Sequence, residues 1–172
     1  MPMYVALTGT PGTGKTSAAK ILRERGLIIT TVEELATKHG ALEIVDGEKE
    51  VDTEKLRKAI CESPETIIVV GHLSHNLPNG LCIILRCHPE VIRKRLGTRN
   101  YSREKVLENL EAEAVDVILM EAIETCENVC EVDTSNLAPE EVAGIIEKIM
   151  NGEADKYPPG KVDWSGAVMD WY

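Results

Sequence analysis

Residues 9–16 read Gly9-Thr10-Pro11-Gly12-Thr13-Gly14-Lys15-Thr16, and this stretch decides the fold. A short apolar, β-rich run from Met3 to Leu7 leads into it. A helical pattern from Lys15 to Arg25, with Gly26 as its stop, leads out. The spacing Gly9-x-x-x-x-Gly14-Lys15-Thr16 fits the phosphate-binding P-loop, and a strand before with a helix behind is the context that loop requires. Glycines allow backbone amides to turn towards phosphate oxygens. The helix start adds the positive end of its dipole. In such a loop Lys15 bridges the outer phosphates and Thr16 offers its hydroxyl to Mg2+.

Working outward, Leu27–Thr31 reads as a second strand. Thr31 and Glu34 form a capping box that opens a helix to about His39. Residues 40–51 read as a loop with a turn at Asp46-Gly47, and Asp52 caps a helix to about Cys61. Ser63-Pro64 ends that helix, and Thr66–Val70 is a third strand, apolar throughout. Leu81–Leu85 is the fourth strand. Pro89 starts a helix to about Leu96, and Ser102 caps one long helix to about Thr125. Val129–Asp133 is the fifth strand, and Pro139 opens a helix that Asn151-Gly152 ends. Continuous apolar strands alternating with helices predict an α/β fold, a five-stranded parallel sheet covered by helices on both faces. The segment 153–172 differs in holding Tyr157, Trp164, Trp171 and Tyr172, four of the six aromatics. It reads either as a tail packed on its own domain or as a partner-docking segment.

A chain of 172 residues is expected to form one domain, 1–172, with a sizeable core. No apolar run approaches a membrane span, and the start of the chain leaves no room for a signal peptide, so a cytoplasmic protein is expected. The five cysteines are odd in number and lie mostly in apolar surroundings, as reduced buried thiols do. The histidines and cysteines near positions 72–88 match no zinc spacing.

The net charge of −10 argues against membrane surfaces and against direct, sequence-specific nucleic-acid binding. The charge is uneven. Between Arg86 and Lys105 seven basic residues face two acids, a local +5 that leaves −15 on the remainder. A basic cluster within an acidic protein suits a small phosphorylated ligand, although a charge run is also compatible with a solvated helix face.

The guanine-reading Asn-Lys-x-Asp of GTPases is absent, and the chain is too short for a hexameric motor with its own lid domain. What remains is a small phosphotransferase. Arg86 falls at the carboxyl end of a strand, the edge where open α/β sheets bind ligands. Arg95 and Arg99 stand four apart, on one helical face leading into a short connector that could close over a transferring phosphoryl group.

Together GTPGTGKT, VDTEKL, GHLSH, RKRLGTRNYSREKVLENLEAEAVDVILMEA and VDTSN resemble adenylate kinase isoenzyme 6 and its archaeal relatives over nearly the whole chain. The resemblance implies a P-loop NTPase fold of the nucleoside monophosphate kinase type, with a monophosphate-binding segment at about 30–52 and a short lid at about 98–108. It implies phosphoryl transfer from ATP to AMP, ATP hydrolysis, and a part in late maturation of the small ribosomal subunit through a basic small-subunit ribosomal protein. By position, Gly12, Gly14, Lys15, Thr16 and Ser17 would hold the triphosphate, Arg99 would reach its phosphates with Arg95 beside it, and Thr134 to Asn136 would lie near the adenine. Lys38 and Arg86 are candidates for the monophosphate, and Thr16 for the metal.

Two departures from the family pattern carry consequences. The third strand ends Val69-Val70-Gly71, without the acid that relatives can place there for the Mg2+ shell. Thr16 would then hold the metal through water and phosphates, or Asp52 or Asp133 would substitute. His72 becomes the nearest polar group to the γ-phosphate region, a candidate to orient water or sense phosphate; a loop histidine with only a hydrogen-bonding role is the competing reading. His75 reads as structural. At Thr37 the arginine of some relatives is missing, and Lys38 offers a point charge rather than a fork. Weak AMP affinity, and a kinase slow relative to hydrolysis, are expected. A nucleotide-gated assembly factor, in which hydrolysis releases a ribosomal protein and kinase turnover is minor, is the alternative.

Overall fold

A computed structural model describes residues 4–60, 64–169 and 171. The chain runs β1 (Tyr4–Thr8), α1 (Lys15–Glu24), β2 (Ile29–Thr31), α2 (Val32–Lys38), β3 (Leu42–Val45), β4 (Glu48–Val51), α3 (Thr53–Ile60) and β5 (Ile67–Val70). It continues through β6 (Leu81–Arg86), α4 (Pro89–Gly97), α5 (Arg103–Ala114), α6 (Val117–Thr125), β7 (Val129–Asp133), α7 (Pro139–Lys148) and the short α8 (Ser165–Val168). The proposed start of the first strand at Met3, the helix end at Cys61, the break at Ser63 and the aromatic Tyr172 lie outside the described residues.

The predicted sheet is present: five parallel strands in the order β2-β5-β1-β6-β7. Alternation along β1 divides the core between its two faces. Val5 and Leu7 pack with Ala18 and Leu22 of α1 and Val142 and Ile146 of α7. Ala6 turns the other way, to Ile84 of β6 and Leu119 and Ala122 of α6. Beside it on that face, α2 and α3 bury Leu35 and Leu56 over Val69. Every residue of β6 is buried, as a strand with a neighbour on each side and helices above and below must be.

Local signals explain most boundaries. Thr31 accepts the amide of Glu34 at 3.0 Å while the Glu34 carboxylate accepts the amide of Thr31 at 3.0 Å, so the capping box is complete. Asp52 caps α3 through the amide of Lys55, and Ser102 caps α5 through that of Lys105. Gly152, at φ 104°, closes the irregular turn that follows α7.

Two segments depart from the sequence reading. Residues 40–51 are not a plain loop: β3 and β4 form an antiparallel hairpin turning on Asp46 (φ 52°) and Gly47 (φ 83°). Positive φ at both central residues gives the twist a tight hairpin needs, which Asp-Gly supplies. The long helix to Thr125 is two helices, because Asp116 sits at φ 60° between α5 and α6. Ala114, Val115 and Val117 offer no glycine or proline to mark the break. Asp116 tolerates the left-handed region, and its carboxylate accepts from Arg86 Nη2 at 2.5 Å.

The tail packs on its own domain. Tyr157 C=O accepts from the Glu131 amide, and Trp171 joins Cys87, Ile92, Leu96 and Leu110 in a cluster beneath α4 and α5. Four thiols, Cys82, Cys87, Cys126 and Cys130, are free, and all but Cys126 are buried. No helix among the described residues is long and apolar enough to cross a membrane.

Asp116→Ala loses both the tolerance of positive φ and the bond to a charged donor, and should destabilise the fold by about 2–3 kcal/mol. Asp116→Asn keeps an acceptor and the backbone tolerance, and should lose less than half of that. Urea unfolding of the two variants checks the order.

Candidate functional site

Between β1 and α1 the loop wraps into a cradle held from four sides. Gly9 lies at φ 145° so close to β6 that a Cβ there would stand 2.5 Å from the Leu85 carbonyl oxygen and 2.8 Å from Thr13 Oγ1. Gly12 presses on α4, where a Cβ would meet Ile92 and Leu96 at 3.2 Å. Thr134, just past β7, donates its hydroxyl to the Thr13 carbonyl at 2.7 Å. Thr10 donates its hydroxyl to Glu113 of α5 at 2.7 Å. Inside the loop the Thr10 carbonyl accepts from the Thr13 amide, the Thr13 hydroxyl and Lys15 Nζ.

Gly14 precedes α1 at φ 102°, and the first helical bond runs from the Ala18 amide to the Gly14 carbonyl. The amides of Lys15, Thr16 and Ser17 therefore stand outside the helical ladder, at the positive end of the dipole. Lys15 Nζ donates to the Gly9 carbonyl at 2.5 Å and to that of Thr10 at 3.0 Å, so the ammonium is folded onto the loop. It is pushed down from its ordinary 10.5 to about 8: burial disfavours the charge, the Glu113 carboxylate opposes that, and Arg99 adds to it.

A cleft of about 270 Å3 opens beside the loop, lined by Gly12, Gly14, Ser17, Arg95, Arg99 and Thr134 among others. Arg95, on α4, donates Nη1 to the Gly12 carbonyl at 3.0 Å. Arg99 lies past the end of α4 in the exposed connector 98–102, so the two arginines share the cleft rather than one helix face. A second depression, about 530 Å3, is lined by Thr31, Glu33, Glu34, Thr37 and Lys38. Both lie at the carboxyl edge of the sheet, where α/β folds bind ligands.

His72 follows β5 and is exposed; its pKa lies below the ordinary imidazole value, through partial desolvation first and the Lys15 charge second. His75 is buried, with Nδ1 3.0 Å from Thr8 Oγ1 and Nε2 2.8 Å from Glu121, a tie between β1 and α6. These bonds are what a structural histidine would make. Both acids suggested to replace the one missing at Val70 already accept hydrogen bonds through Oδ1. Asp52 caps α3, and Asp133 Oδ1 accepts from the amide and hydroxyl of Ser135.

Arg86 is not a ligand for the monophosphate. Only 1 % exposed, it donates Nε to Glu113 at 2.8 Å, Nη1 to Glu131 at 2.8 Å, and Nη2 to Asp116 and the Glu113 carbonyl. Burial opposes its charge, and Glu113 above all outweighs that, leaving the guanidinium more firmly protonated than usual. Glu113 is the residue that sequence reasoning missed. It is 3 % exposed and also accepts from the Cys87 amide and Trp164 Nε1. A glutamate inside the otherwise apolar run Val129–Val132 was a usable signal that a buried cation had to be near.

The loop and the sheet around it agree with what comparison finds. The AAA domain family matches residues 5–116. A protein of Archaeoglobus fulgidus named "Putative adenylate kinase" is 49 % identical, over 98 % of this chain and 95 % of its own. The chain belongs to this family of archaeal adenylate kinase relatives. A member from Methanothermobacter thermautotrophicus, with the same name, is 48 % identical over 96 % of this chain and 99 % of its own. Among solved structures, a shikimate kinase from Acinetobacter baumannii in complex with shikimate superposes with a TM-score of 0.61 at 17 % identity, covering 89 % of this chain and 95 % of that one. That likeness supports the P-loop kinase fold of this family member.

Because Lys15 titrates lower in the folded protein, the unfolded chain holds the extra proton between about 8 and 10.5. The unliganded protein therefore gains stability from this group as pH rises through that window. Lys15→Met should stabilise the unliganded protein at neutral pH, by an amount that shrinks as pH approaches 10.5. Urea midpoints measured across that range check it; a variant less stable at neutral pH would contradict it.

Proposed function

We propose that the protein is a nucleoside monophosphate kinase that transfers the γ-phosphoryl group of ATP to AMP, yielding two ADP. The observation that carries this reading is the pair of clefts at one sheet edge, one built on the phosphate loop and the other on α2. In this reading the amides of Lys15, Thr16 and Ser17 receive the β- and γ-phosphates. Lys15 leaves the carbonyls of Gly9 and Thr10 to bridge them, since a phosphate outcompetes neutral acceptors for an ammonium. Arg95 makes the same exchange from the Gly12 carbonyl. Arg99 arrives with the lid, 98–108, bringing charge to the transferring group as water is excluded. A phosphate oxygen of AMP attacks the γ-phosphorus, and the bond to the β–γ bridging oxygen breaks. Lys38 and Thr37 are the groups nearest the acceptor phosphate.

The residues present fit Mg2+ held chiefly by phosphate oxygens and water, the arrangement this ion prefers, with the exposed Thr16 hydroxyl as protein ligand. When bound, the ion neutralises phosphate charge.

A second reading has a specific feature behind it: β5 ends at Val70 with no acid, and His72 stands two residues on. Hydrolysis with His72 orienting water would then time the release of a basic small-subunit ribosomal protein, as the resemblance implies. The −15 outside the lid window has the right sign for such a partner.

ADP formation from Mg-ATP, with and without AMP and beside Lys15→Ala, separates the two. The kinase reading expects acceleration by AMP of at least about a hundredfold, lost in Lys15→Ala. It also expects an AMP KM well above the low micromolar range, which Thr37→Arg lowers. Slow hydrolysis indifferent to AMP would favour the second reading.

A further inference from the structure

We propose that Glu113 is the positioning residue of the phosphate loop, and that the C-terminal strap holds it in that role through Trp164. The inference rests on the proposed nucleotide-binding function of the same loop. It concerns a residue outside the loop, and the tail, to which that function gives no part.

The two oxygens of Glu113 divide their duties. Oε2 accepts the Thr10 hydroxyl, so it faces the loop. Oε1 accepts from Arg86 Nε, the Cys87 amide at 3.1 Å and Trp164 Nε1 at 3.2 Å, so it faces the core and the tail. Thr10 is the residue through which a pull on the loop is felt everywhere, because its carbonyl gathers the Thr13 amide, the Thr13 hydroxyl and the Lys15 ammonium. A carboxylate that fixes Thr10 therefore fixes the turn from which Lys15 must depart when phosphate arrives.

The strap is needed because one guanidinium faces three carboxylates. Arg86 alone cannot saturate Glu113, Glu131 and Asp116, and buried acceptors left without donors cost heavily. The tail supplies what is missing: the amides of Lys161 and Val162 donate to Glu131 Oε1 at 3.0 Å, and Trp164 donates to Glu113. The Trp164 ring also stands edge-on to His88, centroids 5.2 Å apart, and His88 caps α4, the helix that carries Arg95. Farther along, Trp171 packs beneath α4 with the Arg93 guanidinium 5.8 Å from its ring. Since α5 begins in the lid and carries Glu113 in its last turn, the strap, the lid helix and the loop meet at one carboxylate.

The test measures Mg-ATP binding by calorimetry, so it does not depend on turnover. The variants are Thr10→Val, Thr10→Ser, Trp164→Phe and the double variant Thr10→Val/Trp164→Phe, each checked by urea unfolding. Loss of a hydrogen bond to a charged group predicts weakening by about tenfold or more in Thr10→Val. Thr10→Ser, which keeps the hydroxyl, should restore most of it. Trp164→Phe should weaken binding by about threefold or more, and the double variant should lose less than the product of the two, because both act through Glu113. In Trp171→Phe, where Trp164 is the remaining indole, Mg-ATP should change the emission. Thr10→Val binding within about twofold of wild type, strictly multiplicative losses, or an unchanged Trp164 emission would each overturn the inference. Wild type that binds no Mg-ATP would overturn the proposed function as well, and is thereby distinguished. Should Thr10→Val fail to fold, the Trp164→Phe binding and the emission decide alone.

Discussion

Arg86 donates four of its hydrogen bonds into Glu113, Glu131 and Asp116 at the carboxyl end of β6, and the shape of the site depends on that enclosed cluster. A guanidinium in the interior is tolerated only when its donors are met with good geometry, and three carboxylates around it are tolerated only when further donors share them. Those donors come from separate parts of the chain: the phosphate loop through Thr10, the turn after β6 through the Cys87 amide, and the tail through Lys161, Val162 and Trp164. The cluster thus joins segments that share no secondary structure. It also fixes the break between α5 and α6, since Asp116 reaches Arg86 from the left-handed turn that separates them.

One consequence is a phosphate loop shaped before any phosphate arrives. Gly9 against Leu85, Gly12 against α4, Thr13 under Thr134 and Thr10 on Glu113 hold it from independent directions. Lys15 and Arg95 are parked on loop carbonyls, and in the proposed function they need only exchange one acceptor for another. Binding energy is then not consumed in ordering the backbone, which is how a small site gains affinity and orientation together. The exposed connector that carries Arg99 is built on the opposite principle. Residues 98–102 are all exposed, and segments with little buried surface are the ones that open most readily.

Much of this was legible in the sequence. The loop, the capping box at Thr31, the parallel sheet and the helix starts at Ser102 and Pro139 rest on local chemistry that acts within a few residues. What escaped was set by contacts between distant residues. Arg86 at a strand end looks the same whether its side chain meets solvent or a buried cluster, and its partners lie 27, 30 and 45 positions away. The same holds for Trp164, whose acceptor is 51 positions earlier. Asp116 adopts positive φ because Arg86 waits for its carboxylate, a reason invisible along the helix. The hairpin at Asp46-Gly47 is a different case: the turn residues announced it, and alternation in the flanking residues is weak because most of them are exposed.

In the proposed function the preshaped loop and the second cleft bring two nucleotides to one sheet edge. Binding of a bisubstrate analogue, diadenosine pentaphosphate, tests that most directly, because it occupies both clefts at once and requires no turnover. The account predicts that it binds at least about a hundredfold more tightly than ATP alone and shields the connector at Arg99 from proteolysis. Affinity no better than that of ATP, with the connector cleaved as before, would contradict it.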